Sequence, residues 1–183
     1  MRIVGSLATA SLLAISVGCI QSIDYVDQVN TFERFEDEGD FDYEYVDISQ
    51  QIRDPRLTGR FGPSDTFQNA SANASGYDDG ASSNVVLETS NNGRMGMLII
   101  DTWQASLSTM PAGTYRSRAN SMDNAVNVTV CGSDYDAPAD DATVIIEDAP
   151  NGDRIIQVRA ETSSETGMDN SENPAIAQFT MAR

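Results

Sequence analysis

Neither histidine nor lysine occurs anywhere in the 183 residues, and all eleven basic side chains are arginine. Without histidine there is no Ser–His or Cys–His nucleophile pair, no imidazole general base and no imidazole ligand for zinc or haem. Without lysine there is no Schiff base, no pyridoxal phosphate attachment and no P-loop. Carboxylate chemistry remains, as in glycoside hydrolysis, and so does hard-cation binding by Asp and Glu. Two cysteines, Cys19 and Cys131, are too few for a disulfide scaffold. Positive charge is scarce: 28 acidic residues against 11 basic ones give −17. A field of that sign repels nucleic acid and anionic head groups at low salt, which argues against a nucleic-acid partner.

What is present is most informative at the start, MRIVGSLATASLLAISVGC. Arg2 is its only charge, and the small and aliphatic run from Ile3 to Val17 ends in Gly18-Cys19. A short basic start, an apolar middle and a small residue at the join have the layout of an export signal. The run is short and rich in Ser, Thr and Gly, whereas a membrane-spanning helix needs about 20 apolar residues. Ser16-Val17-Gly18-Cys19, with Ile15 one place further out, resembles the signal of bacterial lipoproteins, in which Leu, Ala or Ser, and Gly or Ala precede the cysteine. That resemblance implies that residues 1–18 are removed, that Cys19 is lipidated, and that the membrane is a partner. Cys131 then has no partner within the chain and is read as a small buried hydrophobe. Export without lipid would instead open a Cys19–Cys131 disulfide.

Residues 19–56 read as an acidic tether. From Asp24 to Asp47, ten acidic residues and one basic one place −9 on 24 residues. Such a segment repels itself, and 37 flexible residues span roughly 35 Å root-mean-square. Yet the stretch carries six of the thirteen aromatics, Tyr25, Phe32, Phe35, Phe41, Tyr43 and Tyr45. Its part 40–48 opens with acid and aromatic alternating at period two, the pattern of a strand with one buried face. Phe41, Tyr43 and Tyr45 are therefore expected to dock as an edge strand on the domain's own sheet. The alternative is a free segment that adds to a protein partner's sheet edge.

Residues 57–183 alternate between short apolar runs and turn residues. Residues 64–83, rich in Asn, Ser, Ala, Gly and Asp, read as a loop. Strands are expected at 84–89, 95–103, 114–118, 125–131, 143–147, 154–160 and 175–183. Met95–Trp103 is apolar on both faces, which suits a central strand. Asn91-Asn92-Gly93 and Pro150-Asn151-Gly152-Asp153 mark hairpins. No segment beyond Leu57 combines helical periodicity with caps. Seven or eight antiparallel strands predict an all-β fold, a β-sandwich, with a closed barrel of lipocalin type as the alternative.

Sites are harder to nominate. Asp134, Asp136, Asp140 and Asp141 form the densest acidic group outside the tether, with Glu147, Asp148 and Asp153 nearby in sequence. Converging carboxylates could hold calcium, though the spacing lacks the Gly and Glu of an EF-hand loop, and Asp and Pro also favour exposed turns. With 28 acidic residues, no pair can be nominated for glycoside cleavage. Trp103 ends an apolar strand, as a core or rim aromatic or as a platform for stacking a sugar. Arg116 and Arg118 share a strand face and are expected to meet acids across the strand. The reading is a lipid-anchored envelope or surface protein carrying a non-catalytic binding or structural module without a cofactor. A calcium-dependent adhesion or carbohydrate-binding module and a carboxylate-dependent polysaccharide hydrolase are the alternatives.

Overall fold

The computed structural model describes residues 47–118 and 125–182, which belong to one compact unit, Glu36–Arg183. The expected signal, Cys19, most of the expected tether, and Phe41, Tyr43 and Tyr45 lie outside the described residues.

Eleven strands are described: β1 (Ile52–Arg60), β2 (Thr66–Ser71), β3 (Asn73–Asp78), β4 (Ser83–Asn91), β5 (Arg94–Thr102), β6 (Gly113–Arg118), β7 (Val126–Gly132), β8 (Tyr135–Pro138), β9 (Asp141–Asp148), β10 (Arg154–Glu161) and β11 (Ala175–Met181). They form a six-stranded sheet, β2-β1-β11-β10-β9-β6, and a five-stranded sheet, β3-β4-β5-β7-β8. All ladders are antiparallel. The two sheets stay open and make a β-sandwich, not a barrel. Alternation decides which side chains go inside: Val85, Leu87, Leu98, Ile100, Val126, Val128 and Val130 from one sheet join Val144, Ile146, Ile156, Val158, Ala177 and Phe179 from the other in one buried cluster. β5 is the central strand of its sheet, as its two apolar faces predict.

Turn chemistry fixes the registers. Asn91 pairs with Arg94, leaving Asn92 (φ 52°) and Gly93 (φ 76°) as a two-residue turn with both φ positive. That is the type I′ geometry whose twist matches a hairpin. Asp148 pairs with Arg154 across the Asn151-Gly152 turn.

Three sequence expectations need correction. The sheets begin at Ile52, not at Leu57. Residues 64–83 hold β2 and β3, and β8 lies inside the acidic stretch around Asp136. The strand total accordingly exceeds eight. β1 is disguised by Pro55, which cannot donate to a ladder. The strand accommodates it with a bulge: between Arg53 and Arg56 the register against β11 shifts, and Asp54 takes φ 50°. β2 and β3 lie at sheet edges, where Phe67 and the methyl groups of Ala70, Ala72 and Ala74 suffice to meet the core. Such weak apolar alternation cannot be told from a loop in sequence.

Ahead of β1, Asp47 forms an antiparallel bridge with Tyr77 of β3. A short 3₁₀ turn follows, Ile48–Gln50, with the Asp47 carboxylate accepting from Ser49 N at 2.8 Å. It drops Ile48 fully into the core.

Candidate functional site

The acidic group proposed from sequence is not assembled into one site. Asp134 is exposed in the β7–β8 turn, and Asp136 points outward from β8, accepting a weak bond from Cys131 Sγ at 3.4 Å. Asp140 accepts from Ser163 N at 2.5 Å. Asp141 opens β9 in register with Arg118 and Glu161 on the flanking strands, and Arg116 lies in register with Thr143. Asp153 pairs with Arg53 at 3.3 Å, and Asp148 lies 3.7 Å from Arg154 Nε. Among the described residues no group of three or more acidic or cysteine side chains is placed to hold a metal ion. Cys131 is fully buried.

The convergence that does exist was invisible in sequence and lies around the segment 103–112, between β5 and β6. Asp78, at the end of β3, is 6% exposed. Its Oδ1 accepts from Ser108 Oγ (2.8 Å) and Gly80 N (3.1 Å), and its Oδ2 accepts from Ser83 Oγ (2.9 Å) and Ser108 N (3.0 Å). Ser83 Oγ in turn accepts from Leu107 N at 2.7 Å. From the opposite sheet Arg154, 1% exposed, donates through Nη1 to the carbonyls of Leu107 (2.9 Å) and Met110. Thr109 Oγ1 bonds Gly80 O, and Tyr115 OH donates to Pro111 O at 2.6 Å. Leu107 and Met110 enter the core. Chemically this is a staple: four donors and one carboxylate hold the segment to the end of β3.

Trp103 directly follows the last residue of β5. Its side chain is the one large hydrophobic exposed among the described residues, at 52%. The structure places Trp103 at the surface, not in the core.

One titrating group is distinctive. Burial pushes the Asp101 carboxyl above its ordinary value, and the hydrogen bond from Asn84 Nδ2 at 2.6 Å opposes the shift only in part. A raised carboxyl favours the fold fully below its unfolded value and loses that contribution as pH rises through the folded value. Asp101→Asn is therefore expected to raise the melting temperature at pH 7, with the gain shrinking as pH falls through the raised folded value and gone below the unfolded value of about 4. Thermal melts from pH 3 to pH 8 check it; a constant difference across that range contradicts it. Asp79 behaves oppositely: burial pushes it up, but donors from Ser82 N, Ala81 N and Ser82 Oγ outweigh that and hold it below the usual range.

The described residues form an antiparallel β-sandwich with one exposed aromatic, Trp103. Compared with protein-family models, curated proteins and solved structures, the chain matches none.

Proposed function

We propose that this chain is a lipid-anchored envelope or surface protein whose β-sandwich serves as a non-catalytic binding or structural module. The observation that carries the reading is the opening stretch: one Arg, an apolar run and Gly18-Cys19. Two or three acyl chains on Cys19 would hold the chain stably, since each buried CH₂ contributes roughly 0.8 kcal/mol and one chain binds only marginally. The non-catalytic half rests on the missing His and Lys. It also rests on Asp101, the one carboxyl with a resolved upward shift among the described residues, whose hydrogen-bond partner is an amide, not a second carboxylate. A hydrolase of the carboxylate type needs two carboxyls flanking one bond. Expressed in a bacterial host, Cys19→Ser is expected to abolish fatty-acid labelling and membrane retention. Persistent labelling and retention would refute the anchor.

A second reading, a carbohydrate-binding module, is favoured by Trp103 alone. Its exposed indole could stack on a sugar face, but the calcium-dependent form of this reading finds no ligand set among the described residues. If it holds, Trp103→Ala leaves the melting temperature within about 2 °C, because the ring is half exposed. The same change should remove binding to envelope polysaccharide, read as co-sedimentation of each protein with the insoluble polysaccharide. Equal binding by both proteins rejects it.

A further inference from the structure

Two Asn-Gly pairs close hairpins, Asn92-Gly93 between β4 and β5 and Asn151-Gly152 between β9 and β10, and Asp79-Gly80 lies between β3 and β4. Such pairs carry a reaction of their own. The backbone nitrogen that follows an Asn or Asp can attack that residue's side-chain Cγ, and glycine hinders the attack least because it has no Cβ. The attack needs the nitrogen free of hydrogen bonds and the side chain free to swing onto it. As dipeptides the two Asn-Gly pairs are equivalent. In the fold they differ.

At Asn151-Gly152 both reacting groups are occupied. Gly152 N donates to Ala149 O at 3.0 Å. Asn151 Oδ1 accepts from Asp153 N at 3.2 Å, and Asn151 Nδ2 donates to Asp153 Oδ2 at 2.7 Å. Asp153 is itself tied to Arg53 of β1 at 3.3 Å. Asp79-Gly80 is closed in the same way: Gly80 N donates to Asp78 Oδ1 at 3.1 Å, and the Asp79 carboxylate accepts from Ala81 N, Ser82 N and Ser82 Oγ. Asn92-Gly93 has no such lock. Both residues are exposed, and neither the Asn92 amide nor the Gly93 N–H has a hydrogen-bond partner among the described residues. No atom lies within 4 Å of a Cβ built on Gly93. The type I′ turn explains the free N–H, because its closing bond joins the first and fourth residues, Asn91 and Arg94, and passes over the glycine.

We propose that Asn92 is a self-modification site, deamidating in the folded protein while Asn151 is protected. Gly93 N gives its proton to hydroxide and bonds to Asn92 Cγ. The Cγ–Nδ2 bond breaks, and the amide nitrogen leaves as ammonia, taking a proton from water. A second water then opens the five-membered imide at either carbonyl, leaving aspartate or isoaspartate. Either product adds one negative charge at the hairpin tip, beside Arg94. Aspartate keeps the turn, since Asp-Gly also suits two positive φ angles. Isoaspartate adds a backbone carbon, and the two-residue loop then no longer matches the Asn91–Arg94 register that leads into central β5.

Incubating the purified protein at mildly alkaline pH and following its tryptic peptides by mass spectrometry tests this. Trypsin cuts after arginine, so Asn92 falls in peptide 61–94 and Asn151 in peptide 119–154. Fragment ions place the amide-to-acid mass change on the residue that carries it. Asn92 should convert at least about tenfold faster than Asn151, because three hydrogen bonds must open before Asn151 reacts. In guanidinium, with the fold gone, the two rates should converge. Equal rates in the folded protein overturn the proposal. A preference for Asn92 that persists undiminished in the unfolded chain also overturns it, since it would belong to the flanking residues and not to the turn.

Discussion

Replacing Arg154 with Met is expected to cost the fold about 3–5 kcal/mol, the scale for removing one partner of a buried charged network. Arg154 opens β10, and the inward alternation that continues through Ile156, Val158 and Ala160 makes it an inward-facing position occupied by a charge. Its guanidinium serves the carbonyls of Leu107 and Met110, which sit in a segment without a ladder, and its Nε lies at ion-pair distance from Asp148. Methionine fills the volume but donates nothing, so two carbonyls lose their donor. Since a domain has only about 5–15 kcal/mol in total, the variant should lose a large part of it. Denaturant titration gives the stability change, and amide hydrogen exchange should locate the earliest loosening at residues 103–112. A loss below about 1 kcal/mol would mean that the staple hangs on Asp78 instead.

Gly59→Ala is the second large effect. Gly59 lies near the end of β1, the strand next to the edge of the six-stranded sheet, at φ 104°, and a Cβ there would sit 1.8 Å from the carbonyl oxygen of Pro174. Both the backbone angle and the clash with rigid backbone oppose any side chain. The expected cost is about 3 kcal/mol or more, a fall in melting temperature of about 10 °C. Gly93→Ala is the control: its φ is 76°, but no atom lies within 4 Å of the added methyl, so only the angular strain is incurred. Near-equal losses at the two sites would show that close approach to Pro174 contributes nothing.

The candidate site was less legible than the fold. Strands with two good apolar residues on one face, such as β4, β5, β7, β10 and β11, could be read directly, because alternation is a local signal. β1, β2, β3 and β8 could not, since a proline at a bulge, alanines at an edge and aspartates facing out all copy loop composition. Trp103 was visible as a core or rim aromatic, but not which of the two. The pinning of residues 107–110 was not visible either, because it depends on Asp78 and Arg154, both distant in the chain.

The amino-acid sequence by itself determined the charge, the excluded chemistries, the export-like start and an all-β fold, because composition and period-two alternation act over a few residues. Only the tertiary structure decided which acids are apart and which arginine is buried. Those outcomes depend on ladder registers between distant strands, where a shift of one residue turns every side chain to the other side.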